Sequence, residues 1–471
     1  MKYRHNHLYV TLFLVLIMIA CRVGKDYQQP ALELPKKFSN ITPSDASSIA
    51  TVEWKQFFKD TTLQRLIEHA LTGNFDLQLA TRRIAEAEAY VKQARMNYVP
   101  AVQAQLSATT TMPSKNSLSG ISLKSFLGTN HVEDYSMTLG VSWEADVWGK
   151  MRQQKEAALA NYLQTYEGRR AVQTALVANI ANGYFNLLKL DAQMAVTRKN
   201  LALSDTVVLM MRLQKNAGQV TELAVQQAHV QRQTAALIVP QLEQQIAIEE
   251  NTLHILSGEL PAPVNRSAQL QTVSIWDDLR TGLPAAMVSR RPDVRATEMA
   301  LVAANANVGI AQAYMYPSLN ITAAGGLNAF KASKWFVVPT SLFGTAAGSI
   351  IQPILQRRQL KTQLEVAQIQ RDQAVISFRQ SALTAIGEVV NALVSLDKLK
   401  MQKQIATAQV DTLQKTIHNA KMLFKSGLAD YLEVITAQSN SLQAELALAD
   451  IQRLRLSAIV ELYRSLGGGV K

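Results

Sequence analysis

Apolar and polar residues alternate in four short stretches of this chain and recur at three- and four-residue spacing over much longer ones. In the first stretch Val102, Ala104, Leu106 and Ala108 alternate with Gln103, Gln105, Ser107 and Thr109. In the second, Tyr135, Met137, Leu139, Val141 and Trp143 alternate with Ser136, Thr138, Gly140, Ser142 and Glu144. Leu319, Ile321 and Ala323 repeat the pattern around Asn320 and Thr322, and a return strand from about Leu342 to Ile354 alternates less regularly. Period-two segments of about ten residues predict strands with one face to lipid and the other to a polar lumen. Loops holding Ser114 to Asn130 and Lys331 to Pro339 join the paired strands, and Tyr135, Trp143, Trp148, Trp335 and Phe336 are candidates for interfacial aromatic belts.

The helical signal is longer. No proline interrupts Lys150 to Asn216 or Gln359 to Ser426, and each run predicts a helix on the order of 100 Å long at 1.5 Å per residue. Leu176, Ile180, Tyr184 and Leu187, then Leu383, Ile386, Val390 and Leu393, form narrow apolar stripes of the kind that pack against neighbouring helices. Both runs end at a glycine, Gly218 or Gly427, with another helical run directly after. Those glycines predict left-handed caps and therefore helical-hairpin tips.

These elements form one plan written twice. Ala94 to Pro100 closes a helical stretch in the first half, as Ala311 to Pro317 does in the second. Gly218, Leu223, Val225, Leu253 and Gly258 share one offset from Gly427, Leu432, Val434, Leu462 and Gly467. The division read from the sequence is a signal peptide at 1–20, an anchored N-terminal and equatorial segment at 21–72, and a first repeat at 73–260. A linker at 261–288 and a second repeat at 289–471 complete it. The first repeat holds a β-hairpin at 101–145 and the second a β-hairpin at 318–354.

The N-terminus supplies an address. Lys2 and Arg4 precede an apolar run from Leu8 to Ala20, too short to span a bilayer comfortably, which reads as an export signal. The run ends in Met18-Ile19-Ala20-Cys21, which looks like a bacterial lipobox in which Cys21, the only cysteine, is acylated and becomes the mature N-terminus. With that thiol consumed no disulfide remains. After the signal no apolar run is long enough for a transmembrane helix, so any span is made of strands.

The composition narrows the functional classes. There are 13 Pro and 21 Gly in 471 residues, few aromatics and much Ala, Gln and Leu, the usage of long packed helices. The net charge is +12, but Lys and Arg are scattered without interleaved aromatics, which argues against nucleic acid as a partner. The seven histidines show no metal-ligand spacing, and no nucleophile motif, phosphate loop or CxxC is present. No cofactor, no metal and no catalytic residue is expected.

Four strands cannot close a barrel, and an open edge is not tolerated in lipid. Several copies must pool their strands in a ring, and the long helices then serve as staves of a hollow cylinder below it. That combination is a conduit. Ser289-Arg290-Arg291-Pro292-Asp293-Val294-Arg295-Ala296, Leu301 to Ile310 and Tyr316-Pro317-Ser318 closely resemble the signature of outer membrane efflux lipoproteins, the TolC-like partners of resistance-nodulation-division pumps. Val23 to Tyr27 and Trp143 to Gly149 resemble the start and the strand-to-helix junction of that family. The fold class is thus mainly α with a membrane β-barrel portion, in duplicated halves of four barrel strands and long coiled-coil helices per chain. The resemblance implies a homotrimer with a twelve-stranded barrel above a twelve-helix periplasmic tunnel. It also implies docking to a periplasmic adaptor and an inner-membrane transporter, lipid anchoring in the outer membrane, and passive efflux through a gate opened on assembly. Leu355-Gln356-Arg357-Arg358 departs from the family's aromatic-Asp-x-Gly junction, and the tips lack the Arg-Tyr common before the glycine.

In such a duct the chemistry lies at the gate, where a ring of carboxylates favours cations. Asp430 and Glu433 follow the second tip glycine three residues apart, on one helix face. By resemblance Glu433 falls at the family's aperture acid; the competing explanation for both is an exposed tip charge. The first tip offers only Glu222. Gly218 and Gly427 mark the adaptor-contact tips. Arg290, Arg291, Asp293 and Arg295 read as packing and ion-pair anchoring at a helix start, where Pro292 and Asp293 fit a first turn. Two other readings stand beside efflux: the same duct serving protein secretion with an ABC transporter, and a coiled-coil periplasmic lipoprotein acting as scaffold or adaptor. The alternating strands argue against the scaffold.

Overall fold

The computed structural model describes residues 23–32, 48–266, 268–273, 275, 280–282 and 284–470. The signal segment and Cys21 lie outside the described residues. In chain order the elements are α1 (Trp54–Phe57), α2 (Thr61–Gly73), α3 (Phe75–Met96), β1 (Ala101–Thr111), α4 (Leu118–Leu127), β2 (Val132–Ala145), α5 (Lys150–Asn216) and α6 (Glu222–Leu256). There follow α7 (Pro284–Arg290), α8 (Pro292–Ala313), β3 (Ser318–Ala329), β4 (Leu342–Ile351), α9 (Gln359–Lys425) and α10 (Tyr431–Ser465). The internal repeat is explicit in these lengths. Helices α5 and α9 are both 67 residues long and 209 positions apart (359 − 150). Helices α6 and α10 are both 35 residues long at the same offset (431 − 222).

The chain forms two compact units, and it passes between them inside α3, α5, α8 and α9. One unit holds the strands, in an antiparallel meander of order β1-β2-β3-β4. Its register sorts side chains by polarity. Val102, Ala104 and Leu106 stand opposite Val141, Leu139 and Met137, while Gln105 and Ser107 face Thr138 and Ser136. Ile321 and Leu327 in β3 pair with Trp143 and Met137, which extends the apolar face. A one-residue slip would exchange the faces, so the alternation itself fixes the register. Leu106, Met137, Leu139 and Ile350 on that face are exposed within the single chain. The weak alternation of β4 has a simple cause: Gly344, Ala346 and Gly348 occupy the apolar face opposite Gly325, Ala323 and Ile321, so the face is small rather than greasy. The strand stops at Ile351, two residues before Pro353, which has no amide hydrogen for a ladder bond.

The second unit is helical. The α5 stripe from Leu176 to Leu190 is buried, with Ile180, Tyr184 and Leu187 fully covered. Phe57 stacks on Tyr463 at 4.0 Å between centroids, and the Tyr463 hydroxyl donates to Val52 O at 2.6 Å. Fully burying each such ring contributes about 2–3 kcal/mol. Burial pushes the Tyr463 phenol up to about 12. Pro240 lies inside α6 without ending it. Packing of Leu242, Ile238 and Val239 against Leu190 and Met194 of α5 holds the helix on both sides of the missing bond. The α9 stripe behaves differently: Leu383 is 65% exposed, and the buried positions beside it are Ala382, Ala385 and Val389. No helix among the described residues is long and apolar enough to cross a membrane.

Candidate functional site

The two hairpin tips are built alike. Gly218 (φ 72°) and Gly427 (φ 71°) are left-handed, a conformation in which a Cβ costs about 1 kcal/mol or more. Gly218 N donates to Lys215 O at 2.9 Å and Gln219 N to Gln214 O at 2.9 Å; Gly427 N and Leu428 N bond Phe424 O and Leu423 O in the same way. These paired bonds close the orphan carbonyls of α5 and α9. The next helix starts at once. Thr221 caps α6 by accepting from Ala224 N at 3.4 Å, and Asp430, 209 positions on (430 − 221), caps α10 by accepting from Tyr431 N at 2.6 Å.

Behind the tips Val207, Met211, Val225, Ala228, Val434 and Ile435 form one buried cluster, so the ends of all four long helices pack together. Polar ties close over it. Lys215 pairs with Glu222 across the first tip, and the Tyr431 hydroxyl donates to Gln227 Oε1 between the tips. Arg232 binds Asp205 at 2.5 Å, and Arg212 meets His229 at 2.6 Å. Asp430 and Glu433 stand apart from this network. Both are exposed, and among the described residues neither has an ion-pair partner. Glu433 is the counterpart of Ala224 in the first half (433 − 209), which is buried in the cluster. The duplicated frame therefore carries outward-facing acids at one tip and a tied Glu222 at the other. The Tyr431–Gln227 and Lys215–Glu222 ties were not anticipated from sequence; the shared offset of the two tips was the available signal.

The arginine cluster is structural. Arg291 is 2% exposed and binds Asp293 at 2.5 Å, Glu388 at 2.8 Å and Ser465 O at 3.0 Å. Arg464 shares Glu388 at 3.0 Å, and Arg295 pairs with Glu167 at 3.1 Å. Burial by itself would raise the Asp293 carboxyl, but the hydrogen bond and charge of Arg291 hold it below the usual range. The same unit holds a second carboxylate junction. Glu259, just past the end of α6, accepts from His69 at 3.1 Å and His254 at 3.0 Å, and those bonds lower its carboxyl. No group of three or more metal-type ligands occurs among the described residues.

The strand-to-helix junction belongs to the strand-bearing unit. Asp146 accepts from Met151 N at 2.9 Å and Arg152 N at 3.1 Å, capping α5, and Lys150 binds Glu144 at 2.5 Å. Trp148 donates to Pro317 O at 2.6 Å and packs on Tyr316, while Trp143 donates to Tyr98 O at 3.0 Å. At the far end of the sheet Tyr135 packs on Trp335 at 5.5 Å. Aromatic side chains thus mark both ends of the sheet. Val23 N donates to Trp148 O at 3.4 Å, which brings the N-terminal segment to this junction.

With this geometry in hand, comparison with known proteins gives a consistent answer. The model of the outer membrane efflux protein family matches residues 66–259 and 283–468. The chain belongs to that family. It is 30% identical over 467 residues to the cation efflux system protein CusC of Escherichia coli K12, covering 96% of this chain and 97% of that protein. It is also 30% identical to the toluene efflux pump outer membrane protein TtgC of Pseudomonas putida, covering 96% and 93%. Among solved structures, the outer-membrane channel OprN superposes with a TM-score of 0.87 at 26% identity, covering 96% of this chain and all of that one. This efflux-family chain is therefore an outer membrane channel component of a tripartite efflux system, with a TolC-like fold. Its four-stranded meander is the membrane β-barrel portion of that fold, and one face of the meander is apolar and exposed.

Proposed function

We propose that three copies of this chain close a twelve-stranded barrel above a periplasmic helical tunnel and conduct substrates passively out of the cell. The observation that carries this reading is the open meander: β1 and β4 each have a free edge. Unpaired backbone groups are not tolerated in hydrocarbon, and four strands are too few to close on themselves. The exposed α9 stripe around Leu383 supports it, because a neighbouring copy supplies a partner for that face.

In this reading Cys21 carries the lipid anchor, which the bond of nearby Val23 to the aromatic junction at Trp148 supports. Gly218 and Gly427 shape the tips that meet the periplasmic adaptor, which in turn connects to a resistance-nodulation-division transporter in the inner membrane. Asp430 and Glu433 line the aperture, where three copies of two unpaired acids attract cations and repel one another. The gate opens when adaptor binding draws the tips apart. The duct itself is permissive and the transporter selects the cargo; the names of the relatives, cation efflux and toluene efflux, favour small solutes over secreted protein.

Deletion of the gene, with challenge by drugs and metal salts, tests this function. Sensitivity that rises several-fold and returns to normal on re-expression supports it. An unchanged profile to every compound, together with no adaptor captured by a photocrosslinker at Gln219 or Leu428, overturns it.

A further inference from the structure

We propose that the loops at the outer end of the sheet form a lipid-docking surface for anionic, phosphate-bearing headgroups of the membrane's outer leaflet. Thr111 pairs with Val132 and Leu327 with Leu342, so the segments 112–131 and 330–341 leave the sheet at the same end, opposite the strand ends that lead to α3, α5, α8 and α9. This inference rests on the function proposed above: with the long helices in the periplasm, this end of the sheet lies at the external surface.

The first loop is built around α4. Ser117 caps it by accepting from Gly120 N at 3.1 Å, and Gly128 ends it in the left-handed conformation (φ 67°). Gly120 is buried, with the Ser114 carbonyl so close that no Cβ fits. At 100° per residue Leu118, Ile121 and Phe126 lie on the opposite side of the helix. They face outward: Leu118 is 82% and Phe126 86% exposed. The second loop adds exposed Phe330, Phe336 and Val338 next to the Trp335–Tyr135 contact.

The charge on these loops has one sign. Lys115, Lys124, Lys331 and Lys334 are all exposed, and neither loop contains an Asp or Glu. Among the described residues none of the four has an ion-pair partner. The nearest acids sit on the strand end and are engaged: Glu133 with Tyr135 at 3.1 Å, and Asp134 with Asn328 at 2.7 Å. A short helix with outward apolar side chains and flanking lysines is the pattern that settles into a headgroup layer. Charge complementarity and continuity with the lipid face of the sheet therefore name the occupant as an anionic lipid surface, in preference to a second copy of a uniformly basic loop.

The test uses the full-length channel purified in detergent and equilibrated with mixed micelles of phosphatidylglycerol and phosphatidylcholine. The phosphatidylglycerol retained per chain is counted by native mass spectrometry. Wild type is expected to retain phosphatidylglycerol over phosphatidylcholine by about fivefold or more at low salt, with the preference falling as salt rises. The K115Q/K124Q/K331Q/K334Q variant loses that preference, the corresponding Lys→Arg variant keeps it, and single-channel conductance stays at the wild-type value in both. Equal preference in wild type and the Gln variant overturns the proposal. So does a Gln variant that changes conductance while retaining lipid, because the loops then serve the channel mouth. If the Gln variant does not fold, L118S/F126S with intact lysines takes its place and must halve retention or worse; undiminished retention again overturns the proposal.

Discussion

Gly149 and Arg358 hold the same place in the two halves of the chain, 209 positions apart (358 − 149), and both are left-handed, at φ 76° and 66°. Each immediately precedes a 67-residue helix, α5 or α9. Glycine adopts this backbone without a steric cost, whereas arginine does not. The first junction also has Asp146 as a cap for α5, while its counterpart in the second half (355 − 209) is Leu355. The second junction is thus strained at two residues, since Arg357 is left-handed too, at φ 47°, and Leu355 has no side-chain oxygen with which to cap α9. Arg358→Gly is expected to stabilise the folded chain by about 1 kcal/mol. The exposed Arg358–Glu365 pair at 3.1 Å that it removes is worth less than that. Chemical denaturation in detergent measures the difference, and an unchanged or lower midpoint counts against the strain.

The arginine network ties stability to acid. The Asp293 carboxyl titrates below its ordinary value of about 3.9. Its contribution is therefore complete above that pH and is lost as pH falls through the folded value. Thermal melts of wild type between pH 7 and pH 2.5 should show this loss, and Asp293→Asn should lower the neutral-pH melting temperature and flatten the acid limb. Arg291→Ala, which strands the half-exposed Asp293 and leaves Glu388 with Arg464 alone, is expected to cost about 2–3 kcal/mol. A cost under 1 kcal/mol would show that the network is incidental.

Anchoring is decided by mass. The mature wild-type chain is expected to start at Cys21 and to exceed the polypeptide mass by its acyl groups, while Cys21→Ser keeps the bare mass. Identical, unmodified masses would remove the lipid anchor from the account.

The two acids proposed to line the aperture have an electrical signature. Asp430→Asn with Glu433→Gln is expected to lower the cation-over-anion permeability ratio by about two- to tenfold, read from the reversal potential in a salt gradient. Glu222→Gln should change it far less, because Glu222 is held by Lys215. Equal effects at the two tips would place the selectivity elsewhere.

Much of this architecture is legible in the chain. Prolines absent from Lys150 to Asn216, and glycines at one offset, foretell two helix pairs that prove equal in length. Strand alternation foretells the apolar face because a period of two and a pairing register are one constraint. Other features lie beyond such patterns. Helix α4 is ten residues long, too short for periodicity to separate it from loop, and its caps Ser117 and Gly128 are common turn residues. Pro240 removes one ladder bond from α6, and only the structure shows the packing of Leu242 on α5 that holds the helix through it. At the second tip the sequence singles out Asp430 and Glu433, but not the Tyr431–Gln227 tie, which joins residues 204 positions apart. In the α9 stripe Leu383 looks like core, yet it is exposed within the single chain, on the face for which a neighbouring copy is proposed above.

The most direct measurement combines cross-linking of the purified full-length protein with planar-bilayer recording of the same preparation. The expected result is a covalent trimer that inserts as a cation-preferring channel, mostly closed alone and less cation-selective after Asp430→Asn with Glu433→Gln. A preparation that cross-links only as monomer, and passes no current under any voltage or salt condition, would contradict the duct.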